Sequence, residues 1–95
     1  MIKVVAKNFV KEGQTELFLE RINDLIVETL KEEGCMSYEL FQDVKDPTIF
    51  TMIEEWESTF HLTNHMNSPH FKQVVPTLGE LTSKEGEINV YTPVK

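Results

Sequence analysis

The positions of residues on alternate sides predict β-strands in two stretches of the chain, because side chains along a strand point in turn to its two faces. In the first stretch, residues 2–9, the even-numbered positions share one face of the predicted strand and the odd-numbered positions share the other. The same pattern predicts a second strand over residues 36–43, and we also expect a third strand over 49–56, ending at Trp56, and a last one over 87–92, ending before Pro93. The sequence DPT at residues 46–48 favours a turn, because proline presets the first corner dihedral. We therefore expect the second and third strands to form a hairpin.

A helical period first appears between the first and second predicted strands. Over residues 15–33, apolar side chains recur at spacings of three and four and form one stripe, which predicts a long amphipathic helix. Gly34 is predicted to end this helix, since glycine readily takes the left-handed conformation found at helix ends. The residues of the stripe are Phe18, Ile22, Leu25, Ile26 and Leu30.

A second helical region follows the third predicted strand. Ser58 can cap a helix over residues 59–66, because a serine side chain accepts a hydrogen bond from the first turn. Ser68 and Pro69 restart the helix, with serine as the cap and proline at the first helical position. Pro76 is expected to break or kink this second part. Its apolar face consists of Phe71, Val74, Val75, Leu78 and Leu81.

The predicted order β-α-β-β-α-β is that of the α+β ferredoxin-like fold. We expect residues 1–95 to form a single domain, with helices on one face of a four-stranded sheet. The opposite face also carries apolar side chains, from Val5, Phe9, Phe41 and Ile53. A second copy of the chain is the simplest cover for that face, so a homodimer is expected.

Charge and cysteine content narrow the possible partners. The formal net charge is −7, with 16 acidic and 9 basic residues, and no basic run is present. Nucleic-acid binding depends on Lys and Arg at phosphates, so neither nucleic acid nor an anionic membrane is an expected partner. Cys35 is the lone cysteine and cannot form an internal disulfide, which fits a reducing compartment. With no apparent signal peptide or transmembrane segment, a cytoplasmic location is expected.

Histidines and carboxylates supply the candidate acid–base groups. His61, His65 and His70 lie within ten residues of one another, and histidine titrates near neutral pH. His61 and His65 share a helix face at a spacing that can bind a metal, but no acidic third ligand has a suitable spacing, so no metal site is predicted. A solvated helix surface is the alternative, and we expect His61 to face water. Glu54 and Glu55 alternate across the third strand, so one must point inward, as a base or in a salt bridge.

Several segments resemble the antibiotic biosynthesis monooxygenase family. Residues 2–7 (IKVVAK) resemble its first strand, and residues 31–38 (KEEGCMSY) resemble its helix-to-strand junction. The most specific segment spans residues 52–71 and contains MIEEWES, HL, a further histidine and SPHF in that order. In order and spacing this segment is similar to the quinol monooxygenase branch. The resemblance extends over nearly the whole chain.

The resemblance implies a homodimeric α+β barrel in which two sheets face each other, with a pocket between sheet and helices in each copy. The implied activity is oxygen insertion from O2 into a small aromatic phenol or quinol, without flavin, haem or metal. Asn8 and Trp56 match an Asn and a Trp of the haem-degrading branch. The haem-ligating histidine of that branch falls at Val75, so no haem is expected. The polyketide-tailoring branch carries an Asn where this chain has Met52.

Together, the residues and the resemblance give a set of candidate site residues. Cofactor-free oxygenation needs a base, hydrogen-bond donors for the developing oxyanion and a dry aromatic pocket. We expect His65, Trp56 and Asn8 to be catalytic, although packing in the core or at a strand end is the alternative for the last two. The expected substrate-binding residues are Tyr38, Met52, Glu54, Met66, His70 and Phe71.

Two other functions are compatible with the same sequence. An isomerase of a small oxygenated metabolite would use a similar pocket for proton transfer. A ligand-binding or stress-response module would bind without turnover. The sequence does not identify the substrate.

Overall fold

Four strands and three helices build the protein, and the computed structural model describes all 95 residues. The strands are β1 (Ile2–Phe9), β2 (Cys35–Gln42), β3 (Ile49–Trp56) and β4 (Glu87–Tyr91), and the helices are α1 (Thr15–Thr29), α2 (Thr59–Met66) and α3 (Pro69–Gly79). All neighbouring strands are antiparallel, and their order across the sheet is β2-β3-β1-β4. The predicted ferredoxin-like α+β fold is thus confirmed, with the second helical region divided in two. None of the helices is both long enough and apolar enough to cross a membrane.

The sheet register explains which side chains face the helices. Even-numbered residues of β1 and β3 stand opposite one another, and those of β3 are all buried. Inward side chains that stand opposite one another on adjacent strands form a row across the sheet, and each such row is called a level. Successive levels lie two residues apart along the strands, so three levels span about 13 Å. From one end to the other, these levels are Tyr38–Glu54–Val4, Leu40–Met52–Ala6 and Gln42–Phe50–Asn8.

The core lies between the inward sheet face and the apolar stripe of α1. Phe18 of α1 and Phe50 of β3 stack with their ring centroids 5.5 Å apart. Burial of apolar surface is the main stabilising term for such a layer, at roughly 25 cal/mol per Å². The buried hydrophobic residues are Ile2, Val4, Val10, Phe18, Ile22, Leu25, Tyr38, Phe50, Met52, Trp56, Leu62, Leu78 and Leu81.

Helix α1 ends earlier than predicted. The spacing of apolar residues predicts a helix to residue 33, but α1 ends at Thr29 and Leu30 is 55% exposed. The next amides bond three residues back, as in the tightened last turn of many helices, with the Glu32 amide donating to the Thr29 carbonyl at 3.0 Å. Gly34 has a φ of +83°, as expected, and the ring of His61 occupies the space that a Cβ would need. His61 therefore packs against the chain instead of facing water.

Strands β2 and β4 differ slightly from their predicted bounds. A register shift between Cys35 and Ser37 marks a β-bulge at the start of β2. Met36 lies within it and is exposed, although strict alternation would place it on the face of Tyr38. β4 ends at Tyr91, one residue before the predicted end.

Helices α2 and α3 begin at the predicted caps. The Oγ atoms of Ser58 and Ser68 accept hydrogen bonds from the amides of His61 and Phe71, both at 3.3 Å. Pro76 does not break the helix, and α3 runs through it to Gly79. Pro76 has no amide to donate to the carbonyl four residues back, so α3 lacks one hydrogen bond of its backbone ladder but continues for three more residues.

The outward face of the sheet has no helix over it. Phe41 is 47% exposed there, and Val5, Phe9 and Ile53 are half-buried. Lys3 and Glu55 form an ion pair on this face at 3.5 Å. Glu55 is thus the outward carboxylate of its pair, and Glu54 is the inward one.

Candidate active site

A cavity of about 380 Å³ lies between the inward sheet face and the helices. Val4 and Ala6 of β1 form part of its floor, and Leu62 of α2 lines it from the helical layer. The last part of the lining comes from the segment around Gly86 and from Ile88 at the edge strand. A cavity of this size and mostly apolar lining is typical of a site for a small organic ligand.

His65 brings a nearly fully buried imidazole to this cavity. The Ser58 cap fixes the start of α2, and one turn of helix beyond His61 carries His65 back over β3. Its ring lies 4.7 Å from the indole of Trp56, 5.4 Å from the ring of Tyr38 and 5.1 Å from that of Phe71, measured between centroids. Burial lowers the pKa of His65, against the opposing effect of Glu32. The imidazole is therefore neutral at neutral pH.

A single carboxylate oxygen links His65 to His70. Oε2 of Glu32 lies 2.6 Å from Nδ1 of His65 and 2.7 Å from Nε2 of His70. Glu32 comes from the turn between α1 and β2, and His70 comes from the first turn of α3. Nε2 of His65 makes no hydrogen bond to the protein. It is the ring nitrogen that is free to act as a base.

Glu54 is the second titratable group of the cavity. Its Oε1 accepts a hydrogen bond from Nε1 of Trp56 at 2.9 Å. Burial raises the pKa of Glu54 to about 7, with a smaller contribution from the negative charge of Glu32. At neutral pH this carboxyl is thus present in both protonation states, and it can donate a proton or accept one.

Tyr38 and Asn8 add two polar groups at different levels of the sheet. Tyr38 stands opposite Glu54, and burial together with the Glu54 charge raises the pKa of its hydroxyl well above its usual range. The phenol stays protonated and can donate a hydrogen bond. The amide nitrogen of Asn8 donates to the carbonyls of Ala6 and Phe50, at 3.3 and 3.2 Å. These bonds leave the amide oxygen of Asn8 as its free polar atom.

The cavity brings together seven of the nine candidate site residues. The seven are Asn8, Tyr38, Met52, Glu54, His65, Met66 and Phe71. Trp56 is fully buried behind His65 and does not line the cavity, because its indole fills the end of the core beyond the Glu54 level. His70 does not line the cavity either, because its ring points to Glu32. Trp56 packs against His65, which lines the cavity, and His70 reaches His65 through Glu32.

Sequence reasoning missed Glu32. The predicted helix places it on the polar surface of a last turn, whereas the early end of α1 puts it in a turn directed at two histidines. It lies 33 residues from His65 and 38 from His70, so no local spacing connects the three. The available signal was a charged pair, Glu32 and Glu33, immediately before a glycine that ends a helix. Ala6, a small residue at the centre of the cavity floor, was also missed.

Glu32, His65 and His70 are the residues that could hold a metal ion, since one ligand atom of each lies within 4.8 Å of the others. Two ligands of one zinc ion, each at about 2.0–2.1 Å, stand roughly 3 Å or more apart. The two nitrogen–oxygen distances, 2.6 and 2.7 Å, are shorter and match charge-assisted hydrogen bonds. We therefore describe the cluster as a hydrogen-bonded one. Val75 lines the cavity, and its side chain has no atom that could ligate iron.

The arrangement is suited to proton transfer in a mostly apolar cavity. A neutral imidazole, a carboxyl that titrates near pH 7 and a protonated phenol come together at one level of an apolar cavity. Cys35 lies nearby, but burial raises the pKa of its thiol to about 11, so it is not a thiolate nucleophile at neutral pH.

The chain is similar in sequence to a described protein family and to several known proteins. Residues 1–77 match the family model described as antibiotic biosynthesis monooxygenase. A probable quinol monooxygenase of Escherichia coli, YgiN, is 33% identical over 82 residues, which cover 76% of this chain and 79% of YgiN. An uncharacterized Synechocystis protein is 32% identical over 93% of this chain, which spans only 60% of that protein.

A solved structure is more similar in sequence than either of these proteins. The crystal structure of a conserved protein from Methanosarcina mazei is 48% identical, with a TM-score of 0.93 over 95% of this chain and 89% of that one.

Proposed function

Since the chain belongs to the antibiotic biosynthesis monooxygenase family, we propose that it is a monooxygenase that inserts one atom of O2 into a small hydroquinone or related phenol. The observation that carries this proposal is the free Nε2 of a buried, neutral His65 in an apolar cavity. The relative named as a probable quinol monooxygenase supports the substrate class.

The proposed reaction starts with deprotonation, because O2 is a triplet and reacts slowly with closed-shell molecules. Nε2 of His65 takes a proton from a ring hydroxyl of the substrate. The resulting anion gives one electron to O2, and the two radicals combine in a bond between a ring carbon and oxygen. His65 returns the proton to the peroxide. The ring carbon then loses its hydrogen as the O–O bond breaks, which leaves a carbonyl and water.

The electrons balance without any further reductant. A hydroquinone and O2 give a hydroxyquinone and one water, and the substrate supplies all four electrons that O2 requires. The protein needs to supply a base, donors for the developing negative charge and exclusion of bulk water. For this reason we propose that the reaction uses no flavin, haem or metal.

We assign Tyr38 and Glu54 to the oxyanion side of the substrate. The Tyr38 phenol is a permanent donor, and protonated Glu54 is a second donor at the same level of the sheet. Trp56 acts on the reaction through Glu54, because its indole N–H holds one carboxyl oxygen at 2.9 Å. We therefore describe Trp56 as a positioning residue.

The length of the cavity supports a substrate larger than one ring. The polar level at Glu54 and Tyr38 and the level at Asn8 are separated by an apolar level at Ala6 and Met52. A flat body can thus lie on the apolar level while its reacting hydroxyl meets His65. Asn8 then offers its free amide oxygen to a distant polar group of the substrate.

An oxygen-electrode screen of hydroquinones tests the proposal, with superoxide dismutase and a metal chelator present to control for autoxidation. Enzyme-dependent oxygen uptake supports a monooxygenase. Conversion of an oxygenated substrate without oxygen uptake would favour an isomerase, whose proton transfers a neutral His65 and the carboxyl of Glu54, with a pKa of about 7, could also serve. Saturable binding without turnover would favour a binding module.

We propose further that two copies associate through the outward sheet face. Phe41 is exposed there, and Val5, Phe9 and Ile53 extend the apolar surface across the strands. A small chain buries a limited fraction of its surface, so covering this face would add stability.

A further inference from the structure

The geometry points to Glu32 and His70 as positioning residues that hold His65 in one tautomer, with its proton on Nδ1 and its Nε2 free for the substrate. This inference rests on the proposed function in one respect: the tautomer matters for activity only if His65 acts as a base. Neither Glu32 nor His70 lines the cavity, so both would act through His65.

The hydrogen-bond directions fix the proton positions. An ionised carboxylate oxygen only accepts hydrogen bonds. Because Oε2 of Glu32 lies 2.6 Å from Nδ1 of His65 and 2.7 Å from Nε2 of His70, both nitrogens must carry a hydrogen. In a neutral His65 the remaining nitrogen, Nε2, then has a free electron pair. A free histidine side chain in water has no such constraint and interconverts between tautomers.

Burial prevents water from replacing these partners. The side chains of His65, Glu32 and His70 are 2%, 15% and 19% exposed. The other groups around the His65 ring are the rings of Tyr38, Trp56 and Phe71, and none of them hydrogen bonds to it. Glu54 is the remaining nearby carboxyl, and it is bonded to Trp56 instead. Glu32 is thus the single group that determines the tautomer of His65.

His70 has its own role, because it uses the same oxygen. Its Nε2–H holds Oε2 from a second direction and so restricts rotation of the Glu32 carboxylate. The position of His70 follows from the start of α3, where Ser68 accepts from the Phe71 amide and its Oγ donates to the His65 carbonyl at 2.6 Å. One serine therefore sets the end of α2 and the start of α3, and with them the two histidines.

Nitrogen NMR of the histidine rings tests the inference without any substrate. In protein labelled with 15N at histidine and treated with chelator at pH 7.5, we expect wild-type His65 to show a protonated Nδ1 and an unprotonated Nε2. Glu32→Gln should shift the tautomer ratio at least about tenfold toward Nε2–H, because an amide can donate to Nδ1 as well as accept from it. His70→Ala should give a smaller shift, and His70→Gln, which keeps a donor, should restore part of it.

Glu33→Gln is the matched control, since Glu33 is next to Glu32 in the same turn but its side chain is 93% exposed and bonds to neither His65 nor His70. It should leave the His65 signals unchanged. A wild-type His65 that carries its proton on Nε2 would overturn the inference. So would a tautomer ratio that is unchanged in both Glu32→Gln and Glu32→Ala.

Kinetics separate this inference from the proposed function. If His65 has the expected tautomer but no hydroquinone promotes oxygen uptake, the proposed function fails and the positioning role stands. If oxygen uptake depends on His65, Glu32→Gln should lower kcat by about 10²–10⁴, as loss of the correct tautomer does in other histidine bases. KM should change little, because Glu32 does not line the cavity. Full kcat with an unchanged pH profile in Glu32→Gln would overturn the positioning role alone.

Discussion

His65 combines almost complete burial with a ring nitrogen that bonds to no protein group. The fully buried side-chain polar atom without a hydrogen-bond partner is Oγ1 of Thr29, whereas Nε2 of His65 retains some access to the cavity. The neighbouring cavity explains the arrangement, because a bound substrate can supply the missing partner. At the residue scale, the proposed base is thus held by Glu32 on one side and faces the cavity on the other.

Replacing His65 should remove most of the activity. His65→Ala should lower kcat/KM by about 10²–10⁴, the usual contribution of one general base. In the wild type, the lowered pKa of His65 should give kcat/KM an ascending limb below pH 6.5, as the ring loses its proton. That limb should be absent in the variant. Oxygen uptake measured from about pH 5 to 8 checks both points.

Because His65 is part of the core, His65→Ala also leaves a cavity and should cost about 2–3 kcal/mol of stability. His65→Gln is the second variant, since it fills more of the space. Full activity with the same ascending limb in a folded His65→Gln would contradict the base role and make Glu54 the leading candidate.

The buried carboxyl of Glu54 should make stability depend on pH. Its pKa is about 7 in the folded protein, against 4.5 for a solvent-exposed glutamate, so the folded state holds more protons between these values. The contribution of Glu54 to stability therefore falls as pH rises from about 4.5 to 7, by up to roughly 3 kcal/mol. The lowered pKa of His65 acts in the opposite direction below pH 6.5, so the comparison must be made with a variant.

Glu54→Gln keeps the hydrogen bond to Trp56 and removes the charge. Relative to the wild type, it should gain stability as pH rises from about 5 to 8, as urea unfolding at each pH would show. A constant difference between the two proteins across this range would contradict the raised pKa.

At the scale of the elements, the turn between α1 and β2 connects fold and site. It contains Glu32, and it ends at Gly34, whose position against the His61 ring ties the turn to α2. Gly34→Ala should therefore destabilise the protein for two reasons: a φ of +83° costs an L-residue about 1–2 kcal/mol, and the new methyl meets His61.

Gly13→Ala is the matched control for this prediction. Gly13 has a φ of +86°, but nothing lies within 4 Å of its added Cβ. We expect Gly34→Ala to cost about 1–3 kcal/mol more than Gly13→Ala, and His61→Ala to recover part of that excess in the double variant. If chemical denaturation shows the same loss of unfolding free energy for the two alanine variants, the contact with His61 does not contribute to the destabilisation.

The sequence predicts these elements well where a repeating pattern of residues defines them. It predicts them poorly where the end of an element depends on a single residue. Alternation over 49–56 correctly predicts that one of Glu54 and Glu55 points inward, because a strand has only two faces, and the structure shows that it is Glu54. The end of α1 is mispredicted because Leu30 continues the apolar period although it lies outside the helix and is exposed. The role of Glu32 depends on that end, and on two histidines more than thirty residues away, so no local pattern contains it.

At the scale of the whole molecule, the sheet is covered by helices on one face only. We expect the protein to form a homodimer, and light scattering at micromolar concentration should give about twice the chain mass of 11.0 kDa. Phe41→Glu places a charge on the outward sheet face and should shift the mass toward that of the monomer.

Leu19→Glu is the matched control, because Leu19 is similarly exposed, at 42%, but lies on α1. It should leave the dimer intact. A monomeric wild type, or a dimer that is lost with Leu19→Glu and kept with Phe41→Glu, would contradict association through the sheet.

Isotope labelling of the product tests whether the protein transfers one atom of O2 to an aromatic substrate through a base in its own cavity. A hydroquinone that promotes enzyme-dependent oxygen uptake is incubated under 18O2 with chelator and superoxide dismutase, and the hydroxylated product is analysed by mass spectrometry. We predict one 18O atom per product molecule and one O2 consumed per hydroquinone. In His65→Gln, both oxygen uptake and formation of the labelled product should be lost. A product without 18O, or the same rate of labelling in His65→Gln, would contradict the account.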